Sequence, residues 1–355
     1  AEAPGAHVPQ LGAVMLTRRA DIHREEKRID ILSSRQPQGL MTRLMGENLM
    51  RKDGAAHLAE RRALFPALSP RTVRDVWLPP FRARTEAVLQ ALAPRGAADL
   101  VRDYAMPVSA EALKAITGLT QMAAPEMDRV SQGMIDGCSN YAGDAEVEAR
   151  CHTCTASIDA HIDARLPALR AAPDASALSV MAEAGLPMAA IRANIKLIIS
   201  GGQNEPRDAI AGAAWAVLSQ PGAQHAGWGA VFSEYARWSS PIGMSPREMA
   251  CDGEVAGVHL RQGQRVFLMF GSANRDEAAF DAPDRFDPTR DTGPALPFGA
   301  GPHFCAGAAA SRALIAEVAL PMLFDRLPGL RLAGPVAFGG WAFRGPLSVP
   351  VTWDT

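Results

Sequence analysis

The segment Phe298-Gly299-Ala300-Gly301-Pro302-His303-Phe304-Cys305-Ala306-Gly307 holds the densest chemistry in this chain. Its glycines and proline force a tight, irregular loop. Cys305 lies near the loop's end, where it feeds a helix expected over 308–320. Backbone N–H groups and the positive end of a helix stabilise a thiolate at such a place. Gly307 lets the backbone approach a flat ligand. The plainer alternative is a glycine-rich turn beside a buried cysteine. A dinucleotide-binding loop does not fit, because no glycine follows Gly301 three residues on and no strand–helix–strand pattern surrounds it.

Three further groupings carry chemistry. His57 and Arg61 are four apart and share a helix face, so they can hold a carboxylate together or mark an exposed basic helix. Glu234 and Arg237 place opposite charges at i and i+3, a spacing that is usually a solvated surface pair. The run Gly201-Gly202-Gln203-Asn204-Glu205-Pro206 sits within an otherwise helical stretch. Pro206 donates no N–H and its ring clashes with the carbonyl of Gly202, so the helix is expected to open beside Gly201-Gly202. A carboxyl at that opening moves protons if its pKa is tuned. The alternative for Glu205 is a proline kink inside a solvated Glu-Arg-Asp cluster. Cys151-His152-Thr153-Cys154 has a metal-like spacing but no second ligand pair, and reads as core cysteines of a helix.

These groups need elements to position them. From about 55 to 208, Ala, Leu, Arg, Glu and Met dominate at helical spacing, punctuated by Pro and Gly. The stretch 186–219 reads as one long helix, with Pro187 in its first turn and Pro221-Gly222 after its end. Such a helix spans about 50 Å at 1.5 Å per residue. Strand patterns come later, at 253–260 and 265–270 as an antiparallel pair, and at 347–353. The fold class is mainly α with small β-sheets, read as a single domain over 1–355.

Composition narrows the function classes. The chain has 355 residues, with 48% hydrophobic and 21% charged, which excludes disorder. Net charge is −2, so no basic field favours nucleic acid. The most apolar stretch, 189–218, is broken by Arg192, Lys196 and the 203–208 polar run, so no membrane span is expected. The first ten residues lack a signal-peptide pattern. Five cysteines are an odd number at low density and suit a reducing compartment, so the cytoplasm is the expectation.

The 298–307 segment resembles the heme-thiolate loop of the cytochrome P-450 superfamily, Phe-Gly-x-Gly-x-His-x-Cys-x-Gly in bacterial members. Phe298, Gly299, Gly301, His303, Cys305 and Gly307 fill every fixed position. Upstream, Glu234-x-x-Arg237, Pro241, Arg247, Ala273-Asn274-Arg275-Asp276 and Phe286-Asp287-Pro288 are similar to the family's succession of motifs. The resemblance covers roughly residues 14–353. It implies the cytochrome P-450 fold, with a long central helix and heme between it and the helix after the cysteine loop. The family's usual front end is expected to be shortened in this sequence, and the connection between Glu205 and Glu234 is also short.

The resemblance implies heme b with Cys305 as the iron ligand, the ligation for which this superfamily is itself the standard example. Phe298 and Gly307 would flank the cofactor. His57, Arg61, Arg247 and His303 would hold its propionates, and Glu234 and Arg237 would form a buried pair that fixes the fold. The implied activity is insertion of one oxygen atom into a C–H bond, as hydroxylation or O-dealkylation. Electrons would come from separate carriers, a ferredoxin and its reductase, with Arg62 and Arg312 as docking candidates. The expected substrate is small and lipophilic, the protein is expected to be a monomer, and neither nucleic acid nor membrane is a partner.

One departure stands out. The family's oxygen-handling motif ends in an acid and a threonine, where this chain has Asn204 and Glu205. The catalytic candidates are therefore Glu205, Asn204 and Gly202. Glu205 as acid–base makes a hydrogen-peroxide-dependent peroxygenase the first alternative, and a non-catalytic heme-thiolate sensor is the second. Substrate contacts are expected from Leu44, Gly201, Ile242, Met244 and Trp341, with Leu40, Leu49 and the turn at 338–341 beside them.

Overall fold

The computed structural model describes residues 5–355. Helix Met188–Ser219 is the central beam. Its 32 residues extend about 48 Å. Ala-rich turns give it high intrinsic propensity. It packs against helices Met106–Thr117, Ala124–Cys138 and Trp228–Ser239. The main core gathers along it, including Ile195, Ile199, Ile210, Leu314 and Ile315. Below it, one helical run follows the cysteine loop, with an α turn Ala308–Arg312, a π segment Ala313–Ala319 and an α segment Leu320–Arg326.

Pro206 does not break the long helix, which is helical throughout. The expected gap is filled instead. The Ser109 hydroxyl lies 2.9 Å from Gln203 O and 3.3 Å from Gly202 O, so the carbonyl freed by the proline has a partner from the neighbouring helix. The long helix begins at Met188, with Pro187 as its N-cap. Between it and helix Trp228–Ser239 stands only a 3-10 turn, Ala223–Ala226.

Strand pairing differs from the expectation. Gly253–Val255 pairs with Val258–Leu260 in its own hairpin. Arg265–Leu268 lies instead between Ala13–Leu16, in parallel, and Ser245–Met249, antiparallel. The five-stranded sheet runs Gly5–Val8, Ala13–Leu16, Arg265–Leu268, Ser245–Met249, Leu32–Ser33. Alternation of residue types does not say which strand is the neighbour. The expected strand at 347–353 is two strands. Gly345–Ser348 pairs with Ala337–Gly339, and Pro350–Thr352 pairs with Ala97–Asp99 and Arg331–Leu332. Val349 separates them and accepts a backbone bond from Leu100.

No helix among the described residues is long and apolar enough to cross a membrane. Cys151 and Cys154 are buried against Gly137 and Gly133, where any side chain would strike their sulfurs. They fill space between two helices, and no group of three or more His, Cys, Asp or Glu suited to a metal occurs among the described residues.

Candidate functional site

A cavity of about 630 Å³ lies between the long helix and the cysteine loop. That is within the range of roughly 300–1,000 Å³ for small-molecule sites. Its floor is Phe298, Cys305, Ala306 and Gly307, with Ala310 and Leu314 of the following helix. Gly299 and Gly301 adopt φ of 70° and 63°, which only glycine takes easily. The loop folds back so that Cys305 N donates to Phe298 O at 2.9 Å. Burial pushes the Cys305 thiol up, and backbone N–H groups of Gly307 and Ala308 oppose that shift. A side chain added at Gly307 would meet no protein atom nearer than the Cys305 sulfur at 3.9 Å. The space above the cysteine is therefore open to a ligand.

The roof is the long helix at Gly201, Gly202, Glu205 and Pro206. A side chain at Gly201 would touch nothing within 4 Å. Glu205 Oε2 is buried without a hydrogen-bond partner. Burial, joined by the nearby Asp208 charge, outweighs a backbone hydrogen bond and the Arg207 charge and pushes the Glu205 carboxyl up to about 8, so it is mostly protonated at neutral pH. Asn204 takes a different course. Its amide donates to Gln132 Oε1 at 2.9 Å, and it does not border the cavity. One helical step separates the two residues, and their side chains diverge by about 100°.

One edge of the cavity is cationic. Arg61 and Arg247 border it, as do His303 and Arg51. Glu26 anchors this edge, accepting from Arg247 at 3.1 Å and from Ala300 N at 2.5 Å. Asp53, the N-cap of helix Gly54–Leu68, makes no capping bond. It is drawn instead to His303 Nε2 at 2.8 Å, Ser33 Oγ at 2.5 Å and Ser34 N at 3.1 Å. His57 lies with its ring centroid 4.3 Å from that of His303. Its Nε2 has no partner. Burial, His303 and Arg61 pull the His57 imidazole down to about 4.

The expected residues thus divide. Arg61, Arg247, Phe298, His303, Cys305, Gly307, Gly201, Gly202, Glu205, Ile242 and Met244 all border one cavity, and His57 stands behind His303. Leu44 and Trp341 do not border it. Leu44 is 5% exposed and points into the core against Gly137, while the neighbouring Leu40, Met41 and Leu49 reach the cavity. Trp341 is turned outward, and Ala342 and Phe343 take the inner positions. Sequence reasoning missed Arg51, Asp53, Glu26 and Ser109. Only Asp53 carried a visible signal, as an N-cap residue just ahead of His57.

Glu234 and Arg237 are both fully buried. Two hydrogen bonds of 2.7 Å join them, and Arg237 also donates to the carbonyls of Asn274, Pro283 and Arg285. Neither borders the cavity.

The cavity suits a flat dianionic cofactor with a metal centre. It offers a buried sulfur at the floor, cations with unpartnered donors at one edge, and apolar walls. Known proteins agree. The family profile for cytochrome P-450 matches residues 229–320, which include both Glu234-x-x-Arg237 and the cysteine loop. A putative cytochrome P-450, YjiB of Bacillus subtilis, is 26% identical over 335 residues, covering 89% of this chain and 83% of that protein. A biotin-biosynthesis cytochrome P-450 from the same organism is 40% identical over 132 residues, 36% of this chain and only 32% of that protein. Two solved cytochromes P-450 share the fold. CYP109E1 from Bacillus megaterium, in complex with testosterone, has a TM-score of 0.89 at 20% identity over 99% of this chain and 95% of its own. Myxobacterial CYP267B1, in complex with myristic acid, has 0.87 at 24% over 99% and 93%. With motif order, fold and cavity in agreement, the chain has the fold and the sequence motifs of the cytochrome P-450 superfamily, whose members carry a heme iron.

Proposed function

We propose that this protein is a heme-thiolate monooxygenase. It inserts one oxygen atom into a C–H bond of a small lipophilic substrate, by hydroxylation or O-dealkylation. The observation that carries this reading is that Cys305, Glu205 and the cationic edge open onto one cavity from its floor, roof and side. Heme b, when bound through Cys305, supplies the dioxygen activation that side chains lack. Gly307 and Ala308 aim backbone N–H groups at the sulfur, which tempers its electron density. Arg61, Arg247 and His303, backed by His57, hold the propionates by charge-assisted bonds. Ile242, Met244, Ile198 and Met50 exclude water and select apolar substrates. Relatives named steroid C26-monooxygenases, such as one from Mycolicibacterium smegmatis that is 28% identical over 319 residues, support a lipophilic substrate.

Glu205 takes the place of the alcohol that usually serves proton delivery in this family. A mostly protonated carboxyl at the roof donates a proton and recovers it from solvent. The chain's own residues supply no electrons, so separate carriers, a ferredoxin and its reductase, complete the cycle. The exposed Arg62 and Arg312 suit an acidic carrier. We read the chain as one domain, acting as a cytoplasmic monomer.

The unpartnered Glu205 oxygen also favours a second reading, a peroxygenase that uses hydrogen peroxide directly. One set of measurements separates the cases. The ferrous carbonyl spectrum reports thiolate ligation, and Cys305→His converts it to an imidazole type. Product formation is then compared with oxygen plus carriers against peroxide alone. The monooxygenase reading expects turnover chiefly with carriers, reduced tenfold or more in Glu205→Ala. Turnover with peroxide alone at the higher rate selects the second reading. Protein that stays colourless with hemin overturns both.

A further inference from the structure

Arg51 is a buried charge that the protein does not neutralise. It is 4% exposed. Its Nε has no partner, and its guanidinium makes one long hydrogen bond among the described residues, from Nη1 to Ser34 O at 3.4 Å. A guanidinium offers five N–H donors, and burying one unpaired costs more than most single interactions return. Nearby Arg247 is equally buried but bonds Glu26, Ser245 and the Pro246 carbonyl. The charged and titratable groups facing Arg51 offer no counter-ion. Arg247 repels it, and Asp53 is committed to His303, Ser33 and Ser34. Cys138 and Tyr141 stay neutral, since burial pushes both up, Cys138 to about 12. Burial and Arg247 pull Arg51 down to about 10, which leaves it charged at neutral pH.

The turn that carries Arg51 is fixed from below. Leu49 N donates to Asn194 Oδ1 of the long helix at 2.8 Å, and Met50 N to Asn48 Oδ1 at 3.1 Å. Asn194 in turn donates to Glu60 at 2.8 Å. Arg51 is thus held facing the cavity, between the cationic edge and the segment of Cys138 and Tyr141.

We propose that Arg51 is a carboxylate-binding residue of the cavity, offering its free guanidinium edge to an anion the protein does not supply. A planar fork of donors matches a carboxylate bidentately. Two sources bring that group: a heme propionate, for which the inference rests on the heme-thiolate reading above, or the carboxylate of a lipophilic acid bound as substrate.

The test compares holoenzyme of the wild type with Arg51→Met and Arg51→Lys. One arm follows heme transfer to excess apomyoglobin. The other titrates the ferric optical shift with dodecanoate and with methyl dodecanoate. If a propionate is the partner, Arg51→Met speeds heme loss about tenfold and leaves the acid-to-ester preference alone. If a substrate carboxylate is the partner, heme loss is unchanged and dodecanoate weakens about tenfold while the ester does not. Arg51→Lys, which keeps charge but loses the fork, falls between. Heme loss and dodecanoate binding both within twofold of wild type overturn the inference, and so does equal weakening of acid and ester. Should Arg51→Met yield no holoenzyme, Arg51→Lys and Arg51→Gln carry the same comparison under the same criteria. A wild type that takes up no heme defeats the heme-thiolate reading instead, and calorimetric titration with dodecanoate then still tests Arg51.

Discussion

Arg237 and Arg51 are both buried arginines, yet they belong to different kinds of place. Arg237 is fully buried with Glu234 across two 2.7 Å bonds and three backbone carbonyls around it. Arg51 has one long bond and an orphaned Nε. A buried charge that is fully paired is part of the scaffold, because removing one partner strands the other. A buried charge with free donors at a cavity can take a partner from outside the chain. The same contrast separates Glu234, which accepts from Arg237, Arg290 and Asp287 N, from Glu205, whose Oε2 accepts nothing.

The contrast breaks most sharply in unfolding measurements. Arg237→Met is expected to cost about 3–5 kcal/mol in urea unfolding, since it strands Glu234. Arg51→Met is expected to be neutral or slightly stabilising in the ligand-free protein, because it removes a buried charge to which little is bonded. Similar losses in the two variants erase the distinction. Asp53→Asn falls between them, at about 1–3 kcal/mol near pH 7. Burial raises the Asp53 carboxyl, but hydrogen bonds from His303 and Ser33 outweigh this and hold it below its ordinary value. Its contribution is therefore present above the unfolded pKa and fades as pH falls through the folded one. A cost that grows in acid contradicts this.

Glu205 has the opposite sign. Its folded carboxyl titrates near 8, above the unfolded value, so folding binds a proton. Stability from this group is complete in acid and declines as pH rises from about 4.5 toward 8. Glu205→Gln is expected to flatten that decline, gaining up to about 5 kcal/mol over wild type at pH 9 and nothing at pH 4. Thermal unfolding across pH reads it directly. Ser109→Ala frees the Gly202 and Gln203 carbonyls and should cost about 1 kcal/mol. The smallest effect is expected at the exposed Arg331–Asp354 pair, where Arg331→Ala should change stability by under about 0.5 kcal/mol.

Much of the site was legible because its residues are close in sequence. The cysteine loop packs six informative positions into ten residues, and its geometry is set by local glycine torsions. His57 and Arg61 share a face by helix periodicity alone. Glu205 borders the cavity and Asn204 does not, although the motif locates both on one helical turn, because which side chain faces the cavity depends on how the helix is rotated against its neighbours. Leu44 and Trp341 failed likewise, displaced by residues one to four positions away that point inward. Strand partners failed because pairing joins residues far apart, such as Ala13–Leu16 with Arg265–Leu268.

The sequence by itself determined the cysteine loop, the long helix and the identity of the paired Glu234 and Arg237, since each is written in a short window. Tertiary structure alone decided that Arg51 is buried, that Ser109 fills the gap left by Pro206, and that Glu205 rather than Asn204 looks into the cavity. The physical reason is that charge and periodicity are local properties. Desolvation and hydrogen-bond partnership depend on what the rest of the chain brings alongside.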